Sequence, residues 1–211
     1  MKRILFFGLF LLLLAGNATA QERIELTQQE KNELTERIKE KLDDFQDELN
    51  IIANGKTTTT KKEAIRTALE LFIGEGESYY YLDQEGQWRP HAPVQMQTSS
   101  RRSSKPKTQS MKSYLGALSR MRGNWYDQIV IDQADAVRVG SINRTADGQY
   151  VATATICQRF CGYRDGVLVI NDYDIKTTKV YINRTVYQTP GGEVVIWEAK
   201  LGDFKVTETW H

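Results

Sequence analysis

The chain has 211 residues, 28 basic against 27 acidic, with 40% apolar and 10% aromatic content. That balance excludes bulk electrostatic attraction to nucleic acid or to a membrane as the basis of function, and the length suits one domain with its own core. With only two histidines and two cysteines, a zinc site has too few ligands, so no metal and no cofactor is expected.

Lys2 and Arg3, the apolar stretch Ile4 to Ala15 and the small residues Ala18-Thr19-Ala20 are the three parts of a secretory signal peptide cleaved after Ala20. The stretch is too short for a membrane-spanning helix, which needs about 20 residues. No cysteine lies near the cut to accept a lipid anchor. Residues 21–211 are therefore expected in the periplasm or outside the cell, as a single α+β domain without integral membrane association. Export also argues against nucleic acid as a partner.

Helices come first. Thr27-Gln-Gln-Glu30 has the form of a capping box, in which the hydroxyl accepts a free backbone N–H and the carboxylate reaches back. Leu34, Ile38, Leu42, Phe45, Leu49 and Ile52 follow at steps of three and four. They predict an amphipathic helix over 27–54, stopped at Asn54-Gly55. A second such box, Thr60-Lys-Lys-Glu63, starts a helix over 60–73 with Ile65, Ala68, Leu69 and Phe72 on one face. Residues 78–96 read as a hairpin around Asp83 to Gly86, held to an irregular or edge position by Pro90 and Pro93. Residues 97–110 lack apolar anchors and are expected to be a mobile basic loop. Ser110 caps a third helix over 110–122 carrying Met111, Tyr114, Leu115, Leu118 and Met121.

From Tyr126 the composition turns β-branched and aromatic, with turn signals at Ala146-Asp-Gly148, Arg164-Asp-Gly166 and Thr189-Pro-Gly-Gly192. Antiparallel strands are expected near 127–143, 149–161, 168–187 (with a break at Asn171-Asp172) and 193–209. Cys157 and Cys161 lie on one of them. Four residues apart in an extended strand is about 13 Å, too far for a disulfide without a bulge or turn between them. The other reading is two small buried side chains on one face.

The order of two helices, a hairpin, a third helix and long antiparallel strands resembles the nuclear transport factor 2-like superfamily, over about residues 27–209. Ala64 to Phe72, Tyr79 to Trp88 and Trp197 to Thr209 occupy its helix, hairpin and last strand. The resemblance implies three helices packed against a curved, cone-like antiparallel sheet. The chain also looks like small secreted proteins of Gram-negative bacteria in Gly162-Tyr-Arg-Asp-Gly166 and Leu201 to Thr209. Superfamily members include isomerases and dehydratases with acid/base residues in the cone, and also binding and dimerisation modules.

The expected function is that of an exported, non-catalytic binding or interaction module for a protein, glycan or small molecule. Tyr79, Tyr81, Trp88 and His91 are the candidate ligand contacts, because aromatic residues with polar tips suit recognition surfaces. No acidic residue occurs between Glu85 and Asp127. That segment makes Arg101, Arg102, Lys105 and Lys107 candidates for contact with an anionic partner. An enzyme would place Asp127 or Asp132 in an apolar cone facing Tyr79, Tyr81 or Tyr126. A third reading is a homodimeric assembly subunit. No residue is assigned a catalytic role: His91 stands between prolines in a loop and His211 is the last residue, which leaves no triad.

Overall fold

The computed structural model describes residues 25–82, 85–100, 103–146 and 148–210. The signal-peptide reading falls on residues 1–20, outside the described ones. Among the described residues no helix is long and apolar enough to cross a membrane.

Helix α1 (Gln28–Asn54) starts at the expected capping box, with Thr27 and Glu30 bonded reciprocally. Its whole apolar stripe is buried, Leu34, Ile38, Leu42, Phe45, Leu49 and Ile52 each at 2% exposure or less. Helix α2 (Thr58–Glu70) begins earlier than expected because Thr57, not Thr60, is the cap: its hydroxyl accepts the Thr60 N–H. Helix α3 (Met111–Leu118) is capped by Ser110 as expected but ends at Leu118, before residue 122.

The fold is α+β, with these three helices packed on one large sheet. Strands β1 (Tyr79–Leu82) and β2 (Trp88–His91) form the expected hairpin, which stays a separate two-stranded sheet. Residues 97–100 and 103–110 are not the loop expected of them. They form a second antiparallel hairpin, β3 (Gln95–Ser100) and β4 (Ser103–Ser110), at one edge of the main sheet. The stretch lacks apolar anchors because an edge hairpin needs few: Met96, fully buried, is its main one. Pro106, which has no N–H, is tolerated on an outermost strand.

The remaining strands are β5 (Gln128–Gln133), the short β6 (Arg138–Val139) and β7 (Asn143–Arg144), β8 (Tyr150–Arg164), β9 (Val167–Thr189) and β10 (Gly192–Trp210). The strand expected over 127–143 is broken because Asp135 turns the chain, its carboxylate accepting the N–H of Ala136. Strand β9 runs through Asn171-Asp172 without a break. The sheet order is β4-β3-β10-β9-β8-β5, with β6 and β7 also on β8. It is open, and antiparallel except where β10 meets β3 at Phe204 and Met96.

The core sits between α1 and the sheet. Phe45 of α1 packs edge-on to Phe72 at 5.1 Å and stacks on Phe204 of β10 at 5.4 Å. Rings at these distances add to the burial of three large apolar side chains.

Candidate functional site

On β8 and β9 the even-numbered residues face the helices, since side chains alternate along a strand. The inward row begins apolar, with Ile182 and Val180 on β9 and Ala152, Ala154 and Ile156 on β8. Towards the other end it turns polar: Thr178, Lys176 and Asp174 on β9, and Gln158 on β8, all still buried. Here α3 and the β3–β4 hairpin stand over the sheet and leave a cleft of about 640 Å³. Its walls are mixed: Pro106, Tyr114, Leu118, Met121, Phe160 and Ile170 give an apolar part, and Lys105, Lys107 and Asp172 stand among them.

Gln158, Asp174 and Lys176 form the polar floor. The Lys176 ammonium donates to Gln158 Oε1 at 2.6 Å and lies 3.5 Å from Asp174 Oδ2. Asp174 accepts from the Thr209 hydroxyl at 2.9 Å, and Gln46 of α1 ties into the group through Gln158 at 3.4 Å. Burial lowers the Lys176 pKa, against the pull of Asp174. The Tyr114 hydroxyl is pushed well above its usual range, first by burial and then by the Asp174 charge. A buried ammonium and a buried carboxylate are costly unless each has partners, and here both have them.

Of the candidates from sequence, Lys105 and Lys107 on β4 line this cleft. Arg101 and Arg102 lie outside the described residues. Tyr79, Tyr81 and His91 come together elsewhere: Tyr79 stacks on His91 at 4.9 Å and lies 6.3 Å from Tyr81, and His91 meets Tyr181 of β9 edge-on at 6.5 Å. Tyr181 is odd-numbered, so this cluster belongs to the outer face of the sheet, and none of it lines the cleft. Trp88 is exposed, at 68%.

Asp127 and Asp132 are not in the cleft either. Asp127 accepts the N–H of Asp165 at 2.5 Å and thereby ties the β8–β9 turn, and Asp132 lies 3.9 Å from Arg159 across the β5–β8 pair. Sequence reasoning missed Gln158, Asp174, Lys176 and Tyr114. A parity signal for them was present, because Asp174, Lys176 and Thr178 share the parity of Val180 and Ile182 in one unbroken strand.

Cys157 and Cys161 are free thiols, Cys161 fully buried. Pairing between β8 and β9 is continuous from Cys157 to Cys161, so no bulge brings the two sulfurs together. Among the described residues no three His, Cys, Asp or Glu side chains are grouped to hold a metal ion. No protein-family model matches this chain, and no curated protein matches it.

Proposed function

We propose that this chain is an exported binding module that holds a small amphipathic molecule in the cleft between α3, the β3–β4 hairpin and the β8–β9 pair. The observation that carries the proposal is the combination of an apolar wall patch, from Tyr114, Leu118, Met121, Phe160 and Ile170, with a satisfied polar floor of Gln158, Asp174 and Lys176. Small-molecule sites are concave and mostly apolar, with a few fixed polar groups that orient the ligand. The arrangement favours holding over turnover, since Lys176 is engaged by Gln158 and Asp174 rather than poised beside a nucleophile. The resemblance to the nuclear transport factor 2-like superfamily belongs to the same proposal, its cone opening corresponding to this cleft.

Native mass spectrometry of residues 21–211 purified from a periplasmic extract tests it. A reproducible extra mass is expected on the wild type, and its loss in the paired Asp174→Asn, Lys176→Met variant. A bare protein mass in every preparation overturns the proposal. N-terminal sequencing of the same material is expected to begin at Gln21.

One observation supports a homodimer as a second reading. Beyond the last β8–β9 pair, Tyr150 with Ile182, the strands β9 and β10 continue as a ribbon paired only with each other among the described residues. This ribbon exposes Val186, Tyr187, Val194, Val195 and Ile196 on both faces. Open edges with exposed apolar side chains are sites of strand-to-strand association, and a second copy offers the same edges. Sedimentation velocity over a concentration series is expected to show a dimer that Val195→Lys, Ile196→Lys dissociates. A monomer at every concentration removes this reading.

A further inference from the structure

A second cleft, of about 650 Å³, lies where the start of α2 meets the end of α3, lined by residues that alternate along 116–123 with those of the first cleft. Five cationic side chains line it, Lys56, Lys61, Lys62, Arg120 and Arg122, and no Asp or Glu does. They come from the start of α2 and from the segment after α3, so the clustering is made by the fold and not by a run of basic residues.

The five divide into two sets. Lys61 and Arg122 are anchored from within: the Lys61 ammonium donates to the Ser119 carbonyl at 2.6 Å, and Arg122 donates to the carbonyls of Asn54 and Asp127. Lys56, Lys62 and Arg120 are exposed at the mouth. Burial first, and the Arg122 charge second, lower the Lys61 pKa. The first turn of α2 adds to the field: it carries no acidic residue, and the early N–H groups of a helix have no partner within it.

We propose that this cleft is an anion site that takes a phosphate dianion, whether free inorganic phosphate or the monoester headgroup of a lipid. A doubly charged tetrahedral oxyanion offers acceptors in several directions, which suits flexible lysines and an arginine converging from two segments. A single carboxylate would leave most of the cations unmatched. The site is separate from the Lys176 cleft and stands or falls independently of it.

The test uses residues 21–211 labelled with nitrogen-15 and titrated with inorganic phosphate at constant ionic strength against chloride. Saturable amide shifts confined to residues 55–62 and 116–123 are expected. The Lys56→Gln, Lys62→Gln, Arg120→Gln variant should weaken that binding about tenfold or more. Lys61 and Arg122 remain in place in this variant, so the packing that they hold is preserved. A control of equal charge, Lys31→Gln, Lys41→Gln, Lys205→Gln, should bind as the wild type does. Absence of saturable shifts, or an equal loss in the control, overturns the proposal. Co-sedimentation with vesicles containing phosphatidic acid, compared with phosphatidylcholine alone, separates the sources: capture sensitive to the first variant assigns the lipid headgroup, and phosphate binding without capture assigns the free anion.

Discussion

The side chain of Asn50 pairs with both backbone groups of Ile131: its Nδ2 donates to the carbonyl at 2.6 Å, and its Oδ1 accepts the N–H at 3.1 Å. Asn54, one helical turn on, does the same to Ile129 at 2.6 and 3.1 Å. Four residues of helix rise about 6 Å and two residues of strand about 6.7 Å, so α1 matches the repeat of β5 and replaces the neighbour strand that β5 lacks. An open sheet edge is a hazard for association, and here a helix covers it.

Asn54→Ala should destabilise the protein by about 1–3 kcal/mol, because it strands both backbone groups of Ile129, and Asn50→Ala by less, because the Ile131 carbonyl keeps a second donor in Gln46 Nε2 at 2.5 Å. Urea denaturation measures the cost. The double variant should also self-associate through β5 under native conditions, visible as a rise in light scattering with concentration.

The buried Asp174 and Lys176 should behave as a pair. Asp174→Asn alone should cost about 3 kcal/mol, since it leaves a buried ammonium short of counter-charge, while Asp174→Asn with Lys176→Met should cost less. The pH dependence has a definite sign. Burial lowers the folded-state pKa of Lys176 below its usual 10.5, so as pH rises the native state loses the proton before the unfolded chain does. Stability from this group therefore rises with pH in the window below 10.5. The wild type should gain relative to the Lys176→Met single variant in denaturation midpoints as pH rises towards 10.5. Tyr114, raised by burial, acts oppositely above its usual pKa of 10.0: there the unfolded chain ionises first and stability falls.

Gly162 lies under the ring of Tyr126, where an added Cβ would stand 2.5 Å from one ring carbon and 2.6 Å from the next. Gly162→Ala should cost about 1–3 kcal/mol through overpacking. Most of that cost should vanish when the same change is made in a Tyr126→Ala background, which a double-mutant cycle by chemical denaturation would show.

Cys157 and Cys161 should remain reduced thiols even in an oxidising compartment. Intact-mass measurement should show no two-hydrogen deficit, and alkylation of the native protein should reach Cys157 first and slowly. Burial and the nearby Asp135 raise the pKa of Cys157, which keeps the reactive thiolate scarce at neutral pH. Cys161, fully buried, should react only on unfolding.

The helix stripe from Leu34 to Ile52, the Thr27 cap and the long strands after Tyr150 were all legible from residue pattern, because their signals lie within one or two turns or within one strand. The cap at Thr57 was not, since four consecutive threonines offer equivalent hydroxyls and local sequence does not choose among them. Residues 97–110 were misassigned for a related reason. A polar edge hairpin and a polar loop have the same composition, and what separates them is pairing with strand β10 through Met96.

Sequence alone thus determined the α+β class and the buried face of α1, whose hydrogen bonds and periodicity are local. Tertiary structure decided which polar residues share a cleft. Gln158 and Lys176 meet because β8 and β9 pair in one register, and Lys56 and Arg120 because α2 packs against α3. These juxtapositions join residues 18 to 64 positions apart. They depend on non-local packing, whose chain-closure entropy is recovered only when the whole core forms.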